Sequence, residues 1–78
     1  MKSLIEYIAQ SLVDHPEEVR VREVRKGNSV TLALYVAKDD MGRVIGKNGR
    51  VANAIRVLLR VAAVRQGLRV NFDIEEPR

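Results

Sequence analysis

Residues 44–50 read VIGKNGR, and the reading of that stretch decides the fold. Gly46 and Gly49 bracket a Lys47-Asn48 pair between two segments that both carry helical spacing. Glycine is among the poorest helix formers, so an ordinary helical hairpin would place one here, not two beside clustered positive charge. Working outward, Asp39 or Asp40 can cap a short helix over 41–45. On the other side a long helix is predicted from about 50 to 66, stopped by Gly67 at the C′ position.

Further out the period changes from helical to alternating. Val30, Leu32, Leu34 and Val36 alternate with Thr31, Ala33, Tyr35 and Ala37, which predicts a strand. It follows a valine-and-charge stretch over 19–25, with a slip at Glu23-Val24 that a bulge would absorb, and Lys26-Gly27-Asn28-Ser29 supplies the turn of a hairpin. The second strand is the more apolar and belongs in the middle of the sheet. Leu68, Val70, Phe72 and Ile74 give a last strand. At the start, Ser3 and Glu6 fit a capping box ahead of a helix over 3–14 that Pro16 ends, with His15 at its exit as a structural residue. The order is α-β-β-α-α-β. Two helices join the second and third strands, which can therefore lie parallel, so the expectation is an α+β fold: a three-stranded mixed sheet with three helices on one face.

Size and composition limit the function classes. A chain of 78 residues makes one domain, 1–78, burying about 60–65% of its unfolded surface. It has no cysteine and one histidine, so no thiolate metal site is available, and no metal or cofactor is expected. The first ten residues carry Glu6 within their apolar stretch and match neither a signal peptide nor a membrane span, which makes the cytoplasm the expected home. Charge is uneven. Residues 1–37 hold five basic and five acidic side chains, whereas residues 38–69 hold eight against two, a net +6. That is the footprint expected for a polyanion, although a solvated helix face is the plainer reading.

The glycines fit none of the common phosphate loops. From Gly42 to Gly46 there are three intervening residues where a Walker A loop needs four, and Asn48 stands where it needs Ser or Thr. The Gly-x-Gly that opens a dinucleotide fingerprint is absent, and charged neighbours exclude a membrane GxxxG seam. What remains is Gly-x-x-Gly between two helices, with Val44 and Ile45 before it and Arg50 after it.

With GRVIGKNGR intact in this element order, the sequence resembles the KH domain family. The order looks like the type II, bacterial arrangement, and length and termini are similar to the small bacterial single-KH RNA-binding proteins over essentially the whole chain. The resemblance implies a non-enzymatic protein that binds single-stranded RNA, as an RNA chaperone or post-transcriptional regulator, by clamping the backbone of about four unpaired nucleotides. It puts Gly46, Lys47, Asn48 and Gly49 in the clamp. Glycine lets the sugar-phosphate chain approach closely, and the start of the long helix turns its first N–H groups and positive dipole end toward the phosphate. Arg43, Arg50 and Lys38 are assigned to backbone neutralisation. Val44 and Ile45 can form an aliphatic floor for the bases or pack into the core, and they are expected to divide the two tasks. Arg56 and Arg60 read as a solvated stripe beside Asn53. The only aromatics are Tyr7, Tyr35 and Phe72, so base stacking at the glycines is excluded and binding by one domain should be weak and sequence-tolerant.

On a helical wheel the long helix buries Val51, Ala54, Ile55, Leu58 and Ala62, while Val57, Val61 and Val64 widen the apolar arc beyond what one sheet needs. Either the first helix covers the surplus or a second copy does. Because members of the family pair with themselves and with a larger KH-containing protein, the resemblance implies a homodimer through Val57, Leu58, Val61 and Val64. The alternative is a protein-interaction adaptor with incidental nucleic-acid binding. An enzyme is not expected: Asp39-Asp40 reads as a helix cap, with no nucleophile and base beside it.

Overall fold

The computed structural model describes residues 1–76 and carries the expected element order. Helix α1 (Lys2–Leu12) and a 3₁₀ turn (Pro16–Glu18) precede strands β1 (Arg20–Lys26) and β2 (Ser29–Tyr35). A second 3₁₀ turn (Lys38–Asp40) leads into α2 (Met41–Ile45), a third (Lys47–Gly49) into α3 (Arg50–Arg65), and β3 (Arg69–Glu75) closes the sheet. The strand order is β1-β2-β3. β1 and β2 run antiparallel from Arg20 opposite Tyr35 to Lys26 opposite Ser29, and β2 and β3 run parallel from Ser29 beside Arg69 to Tyr35 beside Glu75. The most apolar strand is central, as its alternation predicts.

Alternation along β2 sets the layers. Val30, Leu32 and Leu34 are buried on one face and meet Ile5 and Ala9 of α1, Val44 of α2, and Ile55, Leu59 and Ala63 of α3. Thr31 and the other outward residues leave the opposite face open to solvent. Leu68 and Phe72 complete the core. α3 ends in a Schellman motif: the Leu68 N–H donates to Ala63 O at 2.8 Å and the Gly67 N–H to Val64 O at 3.1 Å. This return feeds directly into β3 and lays α3 against it.

Four local expectations are corrected. The capping box does not form, because α1 starts at Lys2 with Met1 as its uncapped N-cap, two residues too early for Ser3. The helix also ends at Leu12 rather than 14, since the Asp14 N–H is drawn to Asp40. No bulge interrupts β1, whose register with β2 is continuous; Val24 simply lies half exposed on an edge strand. Finally, α3 buries Ala52, Ile55, Leu59 and Ala63, not Ala54, Leu58 and Ala62. The helix is rolled so that Ile55, Leu59 and small Ala63 face the sheet, while the guanidinium of Arg56 lies 5.9 Å from the Phe72 ring centroid.

Candidate nucleic-acid interface

α2 and α3 meet at the Gly46–Gly49 turn, and backbone angles explain both glycines. Gly46 has φ 76°, ψ 170°, a region reserved for glycine, and a Cβ there would lie 2.5 Å from Val51 Cγ2 and 2.8 Å from Val51 N. Gly49 is left-handed at φ 74°, yet a Cβ on it would meet only Asn53 Nδ2 at 3.9 Å. Between them Asn48 is the one non-glycine residue with positive φ among those described, at 57°, a conformation its short amide tolerates. The turn is therefore a sharp, side-chain-poor corner that presents Lys47 and Asn48 to solvent.

The start of α3 differs from expectation. Two of its leading amides are taken up locally, Gly49 N–H by Gly46 O and Arg50 N–H by Lys47 O. What remains for an anion is the positive end of the helix dipole, with no acidic residue in the first turn and no side-chain cap. Arg50, exposed at the first helical position, adds a cation where the dipole alone disfavours one.

Val44 and Ile45 part as the sequence suggests. Val44 is fully buried, while Ile45 is 37% exposed beside the turn. Lys38 is exposed on the 3₁₀ turn that precedes α2. Arg43 is committed elsewhere: its Nη2 lies 3.0 Å from Asp14 Oδ2 and its Nε 3.9 Å from Asp40 Oδ1. Asp40 does not cap α2. Its carboxylate, 1% exposed, accepts the Asp14 and His15 backbone N–H groups, each at 3.0 Å, and so staples the end of α1 to the base of α2. Sequence reasoning missed this role because the partners lie about 26 residues away. The His15 Nδ1 lies 3.5 Å from Glu17 and 3.9 Å from Glu18 on an exposed turn.

A cleft lies between α3 and the free edge of β3. A cavity of about 370 Å³ there is lined by Arg56, Arg60, Val70, Asn71, Phe72 and Asp73. Only Arg60 of the supposed solvated stripe is plainly exposed; Arg56 is half buried, stacked on Phe72, with Nη1 3.3 Å from Asn53 Oδ1. Among the described residues the outer edge of β3 has no neighbouring strand, leaving backbone donors and acceptors beside these guanidiniums. Val57, Leu58, Val61 and Val64 lie on the solvent side of α3, 52–71% exposed, and α1 does not cover them.

Comparison with known proteins gives a consistent result. The family model described as KhpA/KhpB, KH domain matches residues 2–74. A protein of Halalkalibacterium halodurans named RNA-binding protein KhpA is 53% identical over 74 residues, 95% of this chain and 97% of its own. Its namesakes in Clostridium acetobutylicum and Chlamydia pneumoniae are 54% and 46% identical, covering 95% and 100% of this chain and 99% and 100% of theirs. No helix among the described residues is long and apolar enough to cross a membrane. The two-helix corner, the mixed sheet and near-full-length identity agree, and the chain belongs to the KhpA/KhpB family of KH domains.

Proposed function

We propose that this chain, as a single KH unit in the cytoplasm, binds single-stranded RNA without catalysis and acts as an RNA chaperone or post-transcriptional regulator. One observation carries the reading: the Gly46–Gly49 turn, held by positive-φ backbone and open in front of Gly49, presents exposed Lys47, Asn48 and Arg50 at the uncapped, positively polarised start of α3. The phosphodiester chain lies against that corner, Lys47 and Arg50 supply charge, Asn48 holds the left-handed turn, and Ile45 faces the bases. Arg43 contributes less than Lys47, Arg50 and Lys38, because Asp14 already neutralises it. Replacing Lys47 and Asn48 with aspartate tests the site. Aspartate keeps the left-handed position available, so circular dichroism stays native while RNA binding in a gel shift is lost. Retained binding removes the site and favours the adaptor reading, in which RNA contact is incidental.

A second reading concerns assembly, and the exposed stripe Val57, Leu58, Val61 and Val64 favours it. A homodimer through α3, or a pairing of the same face with a larger KH-containing protein, covers that stripe and doubles the RNA footprint.

A further inference from the structure

The sheet has a second face that neither the glycine turn nor α3 uses. Side chains alternate along each strand, so with Val30, Leu32 and Leu34 turned to the helices, Ser29, Thr31, Ala33 and Tyr35 point the other way. The antiparallel register sets Lys26, Val24, Arg22 and Arg20 beside them on that outer face, in the same order. Glu23, opposite Leu32, belongs to the helix side, so the outer row of β1 holds three cations and no acid. No ion pair among the described residues involves Arg20, Arg22 or Lys26. Arg20 is fixed in place all the same, since its Nη1 donates to Glu17 O at 2.9 Å and to Val19 O at 2.8 Å.

The row is regular. Residues two apart on a strand are separated by about 6.6 Å, so Arg20, Arg22 and Lys26 occupy the first, second and fourth places of one line about 20 Å long. The acids of this face, Asp73 and Glu75, stand on β3, two strand spacings or about 10 Å from Arg22 and Arg20. They repel a polyanion from that edge and leave β1 as its track. Ser29, Thr31 and Ala33 keep the surface beside the track low. Tyr35, half buried in the same row as Arg20, adds an aromatic surface of the kind on which an unpaired base stacks. Evenly spaced cations with a ring at one end suit a nucleic-acid strand; an acidic polypeptide shares the charge but lacks the stacking partner.

We propose that the outer sheet face is a second RNA site, on which Arg20, Arg22 and Lys26 track the phosphates of a strand other than the one gripped at Gly46–Gly49. It takes its ligand class from the proposed RNA-binding reading, while its residues are independent of the clamp. The glycine turn joins α2 to α3 in the helix layer and this row lies on the opposite side of the sheet. One chain therefore holds two RNA segments at once and brings two strands together. Without a helix dipole or a bare backbone corner, the sheet contact is the weaker of the two and falls apart in a gel shift.

Nitrogen–proton correlation NMR during titration with dodecauridylate tests the site. In the wild type the Gly46–Gly49 amides should move first, and those of Arg20, Arg22, Val24 and Lys26 in a second, weaker phase. Neutralising three phosphates gives that phase a log–log salt slope of about −2.1, or roughly 20-fold weakening between 50 and 200 mM salt. Arg22→Gln/Lys26→Gln alters two exposed side chains, so circular dichroism stays native. It should cut the slope of the second phase to about −0.7 and leave the first phase unchanged. Amides of β1 that do not move, or that move equally in this variant, overturn the proposal. Polyglutamate that shifts them as strongly as RNA gives the face to an acidic polypeptide and overturns it too. Lys47→Asp/Asn48→Asp judges the clamp separately, and should remove the first phase and keep the second. If Gly46 and Gly49 instead respond as in the wild type, the clamp fails and the sheet site stands; if only the first phase is ever seen, the sheet site fails alone.

Discussion

At the scale of single residues, Gly46 and Gly49 have different obligations. Gly46 sits in backbone space open only to glycine and faces Val51 at overlap distance, whereas Gly49 needs only the left-handed region and has room for a methyl group. Gly46→Ala should therefore destabilise the fold by roughly 3 kcal/mol or more, and Gly49→Ala by about 1–2 kcal/mol, read from urea midpoints. Adding Val51→Ala should not rescue the first variant. The overlap includes Val51 N and Cβ, at 2.8 and 2.9 Å, which alanine retains. Recovery by that double variant would show that the side chain alone sets the constraint. The need for two glycines was legible in VIGKNGR, and so was the left-handed tolerance of Asn48. Which glycine is strict was not, because that depends on how closely the first turn of α3 passes behind Gly46.

At the scale of elements, the start of α3 combines an uncapped N-terminus with a cation at its first position. Such a start costs stability in the free protein and suits an anionic ligand. Arg50→Glu should raise stability by about 0.3–1 kcal/mol through the helix dipole while weakening RNA binding, so thermal unfolding and affinity move in opposite senses. Movement in the same sense would mean that Arg50 has a structural partner instead. Asp40 is the other element-level device. Asp40→Ala removes a pair of charge-assisted hydrogen bonds from two part-buried backbone N–H groups, a loss on the order of 1–3 kcal/mol per group. Native-state hydrogen exchange should then speed up at Asp14 and His15 before it does in β2. From sequence alone Asp40 is indistinguishable from a cap, because a cap signal is local and its true partners are not. The phase of α3 was hidden for a related reason: apolar residues occupy 11 of its 16 positions, so its wheel has no unique buried side. Only packing of Ile55, Leu59 and Ala63 against the sheet, with Arg56 over Phe72, selects one.

At the scale of the whole molecule, element order and sheet were legible because β2 and β3 alternate cleanly and each turn carries its own chemistry. The assembly depends on the face of α3 that the sheet leaves over. Val57, Leu58, Val61 and Val64 form an i, i+1, i+4, i+7 stripe of apolar area that the fold leaves in water. Burying them between two copies gains about 25 cal/mol for each Å² of apolar surface removed, and association then makes thermal stability depend on protein concentration. Val61→Asp puts a carboxylate at the middle of that stripe while touching nothing in the core, since Val61 is 52% exposed. The expected outcome is a wild type that sediments as a dimer with a melting temperature rising with concentration. The variant should be a monomer of native circular dichroism whose melting temperature is constant. On long RNA, losing the second subunit should weaken apparent affinity by up to about 10²-fold, through lost avidity rather than lost contacts, while a tetranucleotide binds as before. A wild type that stays monomeric from micromolar to near-millimolar concentration would assign the stripe to a different protein partner, and the footprint of this chain on a gripped strand would then be that of one glycine clamp alone.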